Sequence, residues 1–191
     1  MGDEQRPIYT VGHSTHESGH LTGLLKAAGV EEVWDVRTQP HSKWNPQHNR
    51  ENLAHALQQA GIRHRWEPRM GGRPENPAHY DPDGHVRYDL IAASPQYQET
   101  LGELLTTAET ATVAVLCSEE NPNGCHRTLL VVRTLLRSGV AAEQIIHLRG
   151  DGSRQQHEPP GADTLFSGGG WDELDPPPWR STHPVRRHAA S

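Results

Sequence analysis

Val113-Ala114-Val115-Leu116-Cys117-Ser118-Glu119-Glu120-Asn121-Pro122-Asn123-Gly124-Cys125-His126-Arg127 decides the fold. A continuous apolar run has the length of a strand buried on both faces, and it breaks into a Pro/Gly/Asn loop before an apolar helical pattern over 126–138. Strand, loop and helix in that order are one half of a parallel α/β unit. The loop holds both cysteines of the chain, and Cys125-His126-Arg127 sets a thiol, an imidazole and a guanidinium at the helix start. Those residue types at a strand-to-helix turn bind anions or carry out group transfer.

Working outward, the same alternation recurs. Ile8-Tyr9-Thr10-Val11 is a short strand, followed by a turn at Gly12-His13-Ser14 and a helix marked by Leu21, Leu24, Leu25 and Ala28 that ends at Gly29. Glu32 to Arg37 is a second strand, and a helix near 49–60 stops at Gly61. Ile62 to Glu67 is a third and weaker strand, because arginine and histidine interleave with its apolar residues. Pro68 to Ser94, rich in glycine and proline, reads as a long excursion outside the core. Ser94-Pro95 is an N-cap followed by proline at the first helical position, opening a helix to about Thr107. Gln144 to Leu148 is the fifth strand.

Five strands alternating with four helices predict a single-domain, three-layer, Rossmann-like α/β sandwich with a mostly parallel five-stranded sheet. The expected layout is an N-terminal tail over 1–6, the α/β domain over 7–152 and a Gly/Pro/His-rich tail over 153–191 that is flexible or loosely docked. In such sheets ligands sit at the carboxyl ends of the strands. His13 and Ser14, Asp35 and Arg37, and Cys117 to Glu120 all fall there.

The formal charge of −6 gives no global attraction to nucleic acid, although a basic cleft remains open as an alternative. Two cysteines without a charged-then-apolar leader or an apolar span of about 18 residues point to a cytoplasmic protein with reduced thiols and no membrane association. No metal is expected, since the cysteine spacing lacks the short C-x2–4-C pattern of structural zinc sites. No Walker A loop, G-x-G-x-x-G turn or G-x-S-x-G elbow is present, so no cofactor is expected either.

The candidate catalytic groups are His13, Asp35, Glu119, Cys125 and His126. Ser14, Arg37, Ser42, Trp44, Gly72 and Arg127 are the candidate substrate contacts. Arg37 and Arg127 can bind an anion, Asp35 or Glu119 can act as base or grip a sugar hydroxyl, and His13 or His126 can move a proton. Ser42 and Trp44 can offer a hydroxyl and a stacking surface. Glu119 and Glu120 are adjacent, so their side chains diverge and only one is expected in a cleft. Of the thiols, Cys125 is the better nucleophile candidate and Cys117 the poorer, because Cys117 ends an apolar strand. Structural roles fit the same residues: Cys125 as a small buried apolar group, Arg127 paired with Glu119 or Asp35, and Asp35 with Arg37 as one ion pair.

Tyr9-Thr10-Val11-Gly12-His13-Ser14, Val33-Trp34-Asp35-Val36-Arg37 with Pro40 and Ser42, Gly61-Ile62 with Met70-Gly71-Gly72-Arg73, Leu116-Cys117-Ser118-Glu119-Glu120 with Cys125-His126-Arg127, and His147-Leu148 come in fixed order. Together they resemble the domain of unknown function family 488 over about residues 7–150. The resemblance implies a small α/β protein of prokaryotic type without a settled activity. A more distant likeness, at the level of fold, is to rhodanese-like and cysteine-phosphatase proteins. There a short loop joins the cysteine to its anion-binding arginine or helix terminus, whereas Cys117 and Arg127 are ten positions apart.

The expected function is a hydrolase or transferase acting on a small anionic, nucleotide-like or nucleic-acid-derived ligand. Two alternatives stand beside it. One is a thiol enzyme. The other is a binding module for nucleotides or nucleic acid, in which Arg63, Arg65, Arg69, Arg73 and Arg87 with Trp66 form a basic, stacking strip.

Overall fold

The computed structural model describes residues 6–158 and 179–185. Its six-stranded sheet runs in the order β3-β2-β4-β1-β5-β6. The strands are β1 (Ile8–Gly12), β2 (Glu32–Asp35), β3 (Arg63–Trp66), β4 (Val113–Cys117), β5 (Ile145–Leu148) and β6 (Arg154–Gln156). The first five are parallel, and β6 pairs antiparallel with β5. The α/β sandwich expected from the alternation is therefore present with one strand more than the five. Gly152, at φ +87°, turns the chain back along β5, and three polar residues, all exposed, form the sixth strand. Periodicity cannot reveal a strand so short that buries nothing.

β1 and β4 lie side by side in the sheet interior and every residue of both is buried. Parity along β4 divides the core. Ala114 and Leu116 join Tyr9, Val11 and Val33 beneath α1 (Ser18–Ala27) and α2 (Arg50–Gln59), which contribute Leu21, Leu25, Leu53 and Leu57. Val113 and Val115 join Trp34 and Val36 on the other face, beneath Tyr97, Leu101 and Leu104 of α4 (Pro95–Thr110) and the helix that follows β4. Ser94 caps α4 by accepting from the Tyr97 N–H at 3.3 Å, with Pro95 at the first position. The helix after β4 opens as a π-helical turn, Arg127–Val132, and continues as α5 (Arg133–Arg137). Single π turns are common at functional sites.

The excursion over 68–94 is not outside the core. Met70, Val86, Tyr88 and Ile91 are buried in the α4 layer, and Tyr88–Ala92 forms the short helix α3. These apolar residues are isolated among glycines and prolines, so they carry no period.

Residues 179–185 return to the same region. Ser181 N–H donates to Val86 O at 2.9 Å, the Val86 N–H donates to Ser181 Oγ at 3.0 Å, and Arg180 pairs with Asp81 at 2.8 Å. Trp179 donates its indole N–H to Leu129 O and packs under Arg133, 4.5 Å from the ring centroid. Part of the expected tail is thus a strand or a docked segment; the rest of it lies outside the described residues.

Candidate active site at the carboxyl edge of the sheet

β4 ends at Cys117, which shares parity with Val113 and Val115 and so faces the helix that begins at Arg127. Arg127 has no solvent exposure. One Nη donates to Glu119 O at 2.8 Å and lies 3.2 Å from Cys117 Sγ; the other donates to Glu120 O at 2.8 Å. Ten positions of chain are thereby looped around one guanidinium. Among the described residues no carboxylate pairs with Arg127, so the nearest group able to neutralise a buried cation is the Cys117 sulfur. Cys125 supplies the second contact, with Sγ–Sγ at 3.1 Å. Burial disfavours the charged form of Cys117, but the Cys125 S–H and the Arg127 guanidinium outweigh it and hold this thiol below its ordinary value. The same sharing, together with burial, pushes Cys125 well up. Charge therefore favours Cys117, the reverse of the preference drawn from sequence, because a strand end that looks inert along the chain sits against a guanidinium in space.

Gly12 makes room for this arrangement. A Cβ there would fall 1.7 Å from Glu119 O and 2.7 Å from Arg127 Nη1. Gly12→Ala is expected to cost about 3 kcal/mol or more by overpacking against backbone, read as a shift in the denaturant midpoint; an unchanged midpoint would mean that the loop does not hold this close approach.

A cavity of about 690 Å³ opens above the thiols. Cys117, Ser118 and Glu119 line it from the β4 loop, and Gly124, Cys125 and His126 from the helix start. Arg37, Thr38, Gln39 and His41 come from the loop after β2, Gly72, Arg73 and Tyr88 from the excursion, and residues 181–185 form the remaining wall. His126 donates through Nε2 to Val36 O at 3.2 Å, which leaves Nδ1 as an acceptor 3.8 Å from Cys125 Sγ. Burial holds its pKa near 4, so the ring is neutral. Gly72 is fitted against it, since a Cβ would meet His126 Cβ at 2.6 Å. Glu119 is exposed and turned into the cavity, while Glu120 turns away to accept from Gly150 N–H at 2.8 Å and to pair with Arg149 at 3.4 Å.

A second polar group lies on the opposite face of the sheet. Asp35 has the parity of Val33 and accepts from Arg37 Nε at 2.8 Å and Nη2 at 2.6 Å. Arg37 Nη1 donates to His48 O at 2.9 Å and to His13 Nε2 at 3.0 Å, while His13 Nδ1 donates to Ser14 O at 2.8 Å. Burial and the adjacent guanidinium lower the His13 pKa to about 4. His48, which the sequence does not single out, stacks on His13 at 4.4 Å between ring centroids. Asp35 and Arg37 are thus the ion pair that was the structural alternative, and His13 is locked beside them.

The structure brings Arg37, Gly72, Glu119, Cys125 and His126 to one cavity. His13, Ser14, Asp35, Ser42, Trp44 and Arg127 are not among the residues that line it. Ser42 Oγ accepts from the Trp44 and Asn45 N–H groups, and the Trp44 ring is 80 % exposed over Lys43. Ser14 holds a left-handed backbone at φ 47° and donates its N–H to Ser118 O at 3.0 Å. Arg127 is bonded to its own loop and is not free to clamp an external anion. Sequence reasoning ranked Cys117 below Cys125, and it placed Arg73 in a basic strip beside the cleft, whereas Arg73 lines the cavity.

The basic strip also changes character. Arg63 pairs with Glu32, Arg65 with Glu67 and Glu103, Arg69 with Glu67 and Glu99, and Arg87 with Asp89. Trp66 is occupied by Arg50 at 4.4 Å and by Arg37 O. Of the five arginines, Arg73 is the one that lines the cavity.

A mostly parallel α/β sandwich with a cysteine loop at the carboxyl end of its central strand defines the class. The chain belongs to the family described as Domain of unknown function DUF488, whose profile matches residues 19–134. That match takes in β2, β3, β4 and the Cys117–Arg127 loop, and leaves out β1, β5 and the 181–185 wall. No curated protein and no solved structure matches the chain. No helix among the described residues is long and apolar enough to cross a membrane.

Proposed function

We propose that this protein is a thiol-dependent hydrolase or transferase of the cytoplasm, acting on a small anionic, nucleotide-like substrate. The observation that carries the reading is the Cys117 sulfur, 3.2 Å from a buried guanidinium and 3.1 Å from a second thiol, at the floor of a cavity. A thiolate is the nucleophilic form of cysteine, and a neighbouring cation favours it. Arg73, exposed at the cavity, binds the anionic group. Cys117 attacks the electrophilic centre, one bond forming to sulfur as the bond to the leaving group breaks. The leaving group takes its proton from solvent, and His126, neutral and with Nδ1 open as an acceptor, takes the proton of the water or acceptor that displaces the sulfur and releases the covalent intermediate. Free thiols accord with a reducing compartment.

Purified protein incubated with nucleoside phosphates and related anions should form product, and Cys117→Ser should lower turnover by about 10³-fold or more, the scale expected when a nucleophile is removed. Arg73→Ala should raise KM with little change in kcat. Turnover retained in Cys117→Ser but lost in Glu119→Gln would replace this reading with hydrolysis by carboxylate-activated water. Salt-sensitive binding without product would replace it with the binding module.

A further inference from the structure

Cys117 and Cys125 are placed for more than one reaction. Their sulfurs are 3.1 Å apart, and a disulfide needs about 2.05 Å, so roughly 1 Å of approach separates the two states. Cys125 follows Gly124, which holds a left-handed backbone at φ +82°. Both cysteines have almost no exposed surface, yet both line the cavity, so a reagent reaches them through it. No group of three His, Cys, Asp or Glu side chains converges for a metal ion among the described residues.

We propose that Cys117 and Cys125 form a reversible disulfide, with a hydroperoxide as oxidant, that switches off the cavity site. Cys117 thiolate attacks the peroxide oxygen; the O–O bond breaks, an alkoxide or hydroxide leaves and takes up a proton, and Cys117 becomes the sulfenic acid. Cys125 sulfur then attacks the Cys117 sulfur, the S–O bond breaks, and the departing hydroxide leaves as water with the Cys125 proton. Two thiols have lost two electrons, and the hydroperoxide has become alcohol and water. An external dithiol restores both thiols by exchange. The bridge also removes the thiol that faces Arg127 and leaves that buried guanidinium with carbonyl oxygens alone. That penalty keeps the oxidised form easy to reduce. The effect of the bridge on turnover rests on the proposed thiol mechanism, whereas its formation does not.

The full-length chain, reduced and then freed of reductant, is treated with hydrogen peroxide and examined by thiol titration and by intact mass under non-reducing conditions. Free thiols should fall from the two present to none, the mass should drop by two hydrogens, and peptide mapping should join Cys117 to Cys125 within one chain. Dithiothreitol should reverse all three. Cys125→Ser should instead accumulate a Cys117 sulfenic acid trapped by a 1,3-diketone, and Cys117→Ser should resist oxidation at Cys125. Bridges between chains, direct passage to sulfinic acid without a bridge, or trapping at Cys125 in preference to Cys117 would overturn the proposal. A reversible bridge in a protein that turns over no substrate would overturn the catalytic reading and leave this one standing.

Discussion

Lowering the pH from 7 to about 4 is expected to unfold the protein cooperatively, with the midpoint near pH 4.5. Three buried imidazoles supply the effect. His13 has its pKa lowered to about 4 by burial and by Arg37, against which any proton on Nε2 would be forced. His126 is lowered to about 4 by burial, with Arg127 adding to it. His147 is lowered to about 3 by burial, by His157 at 3.1 Å and by nearby arginines. Its Nδ1 is already engaged with Thr10 Oγ1 at 2.7 Å. Each ring is neutral in the native chain and takes up a proton near pH 6.5 once unfolded, so the unfolded state binds more protons throughout the window between the two values. Stability is therefore complete above about pH 6.5 and declines as pH falls towards the native values. At about pH 4.5 each group weighs against folding by about 2.7 kcal/mol, roughly 8 kcal/mol for the three, against a total stability of roughly 5–15 kcal/mol for a domain of this kind. Asp35, held below the usual carboxylate range by the Arg37 hydrogen bonds despite burial, adds its own loss only below about pH 4. Far-ultraviolet circular dichroism against pH measures the transition. His147→Asn, which keeps a polar partner for Thr10 but cannot take up a proton, should move the midpoint to lower pH. A native signal that persists to pH 3 would show that these rings can protonate in place.

Much of this architecture is legible along the chain. The strands that are read with ease, β1 and β4, are the central ones, where burial on both faces forces a continuous apolar run. β3 is weaker because it is an edge, and its Arg63 and Arg65 pair with carboxylates in the manner that blunts an edge strand. What the sequence does not disclose is contact without period. Met70, Val86 and Tyr88 enter the core singly, and the segment over 181–185 closes the cavity from a place in the chain that no local pattern links to it. For the site, the carboxyl-edge rule gathers the correct loops but not the correct faces. Asp35 and Cys117 both end strands, yet their parities send one under α1 and α2 and the other towards Arg127, so residues expected to share one centre form two. The Cys117 sulfur reads as an apolar strand end until Arg127 is seen against it, a relation ten positions long that depends on the path of the loop.

Replacing Arg127 separates two roles that look alike in sequence. As a ligand clamp, it would be dispensable for folding, and Arg127→Met would lose substrate while melting normally. As the brace of the cysteine loop, it is required before any ligand arrives. Its removal takes the charged donor from the part-buried Glu119 and Glu120 carbonyls, at roughly 1.5–3 kcal/mol for each hydrogen bond to a charged group that is lost. It also removes the cation opposite Cys117. Arg127→Met is therefore expected to lose about 3–5 kcal/mol of stability, the scale found when one partner of a buried charged contact is deleted. Its Cys117 thiol should rise, seen as loss of thiolate ultraviolet absorbance and slower reaction with hydrogen peroxide at neutral pH. Arg127→Lys should restore part of the thiolate signal, because the charge remains, but little of the stability, because a single ammonium lacks the planar fork that spans the sulfur and two carbonyls. Arg73→Ala, by contrast, should melt as the parent does and weaken only the binding of anions, since Arg73 is exposed at the cavity. A parent-like melt and an unchanged thiol in Arg127→Met would remove the physical basis for a charged Cys117. The proposed thiol mechanism and the disulfide switch would lose their common footing with it.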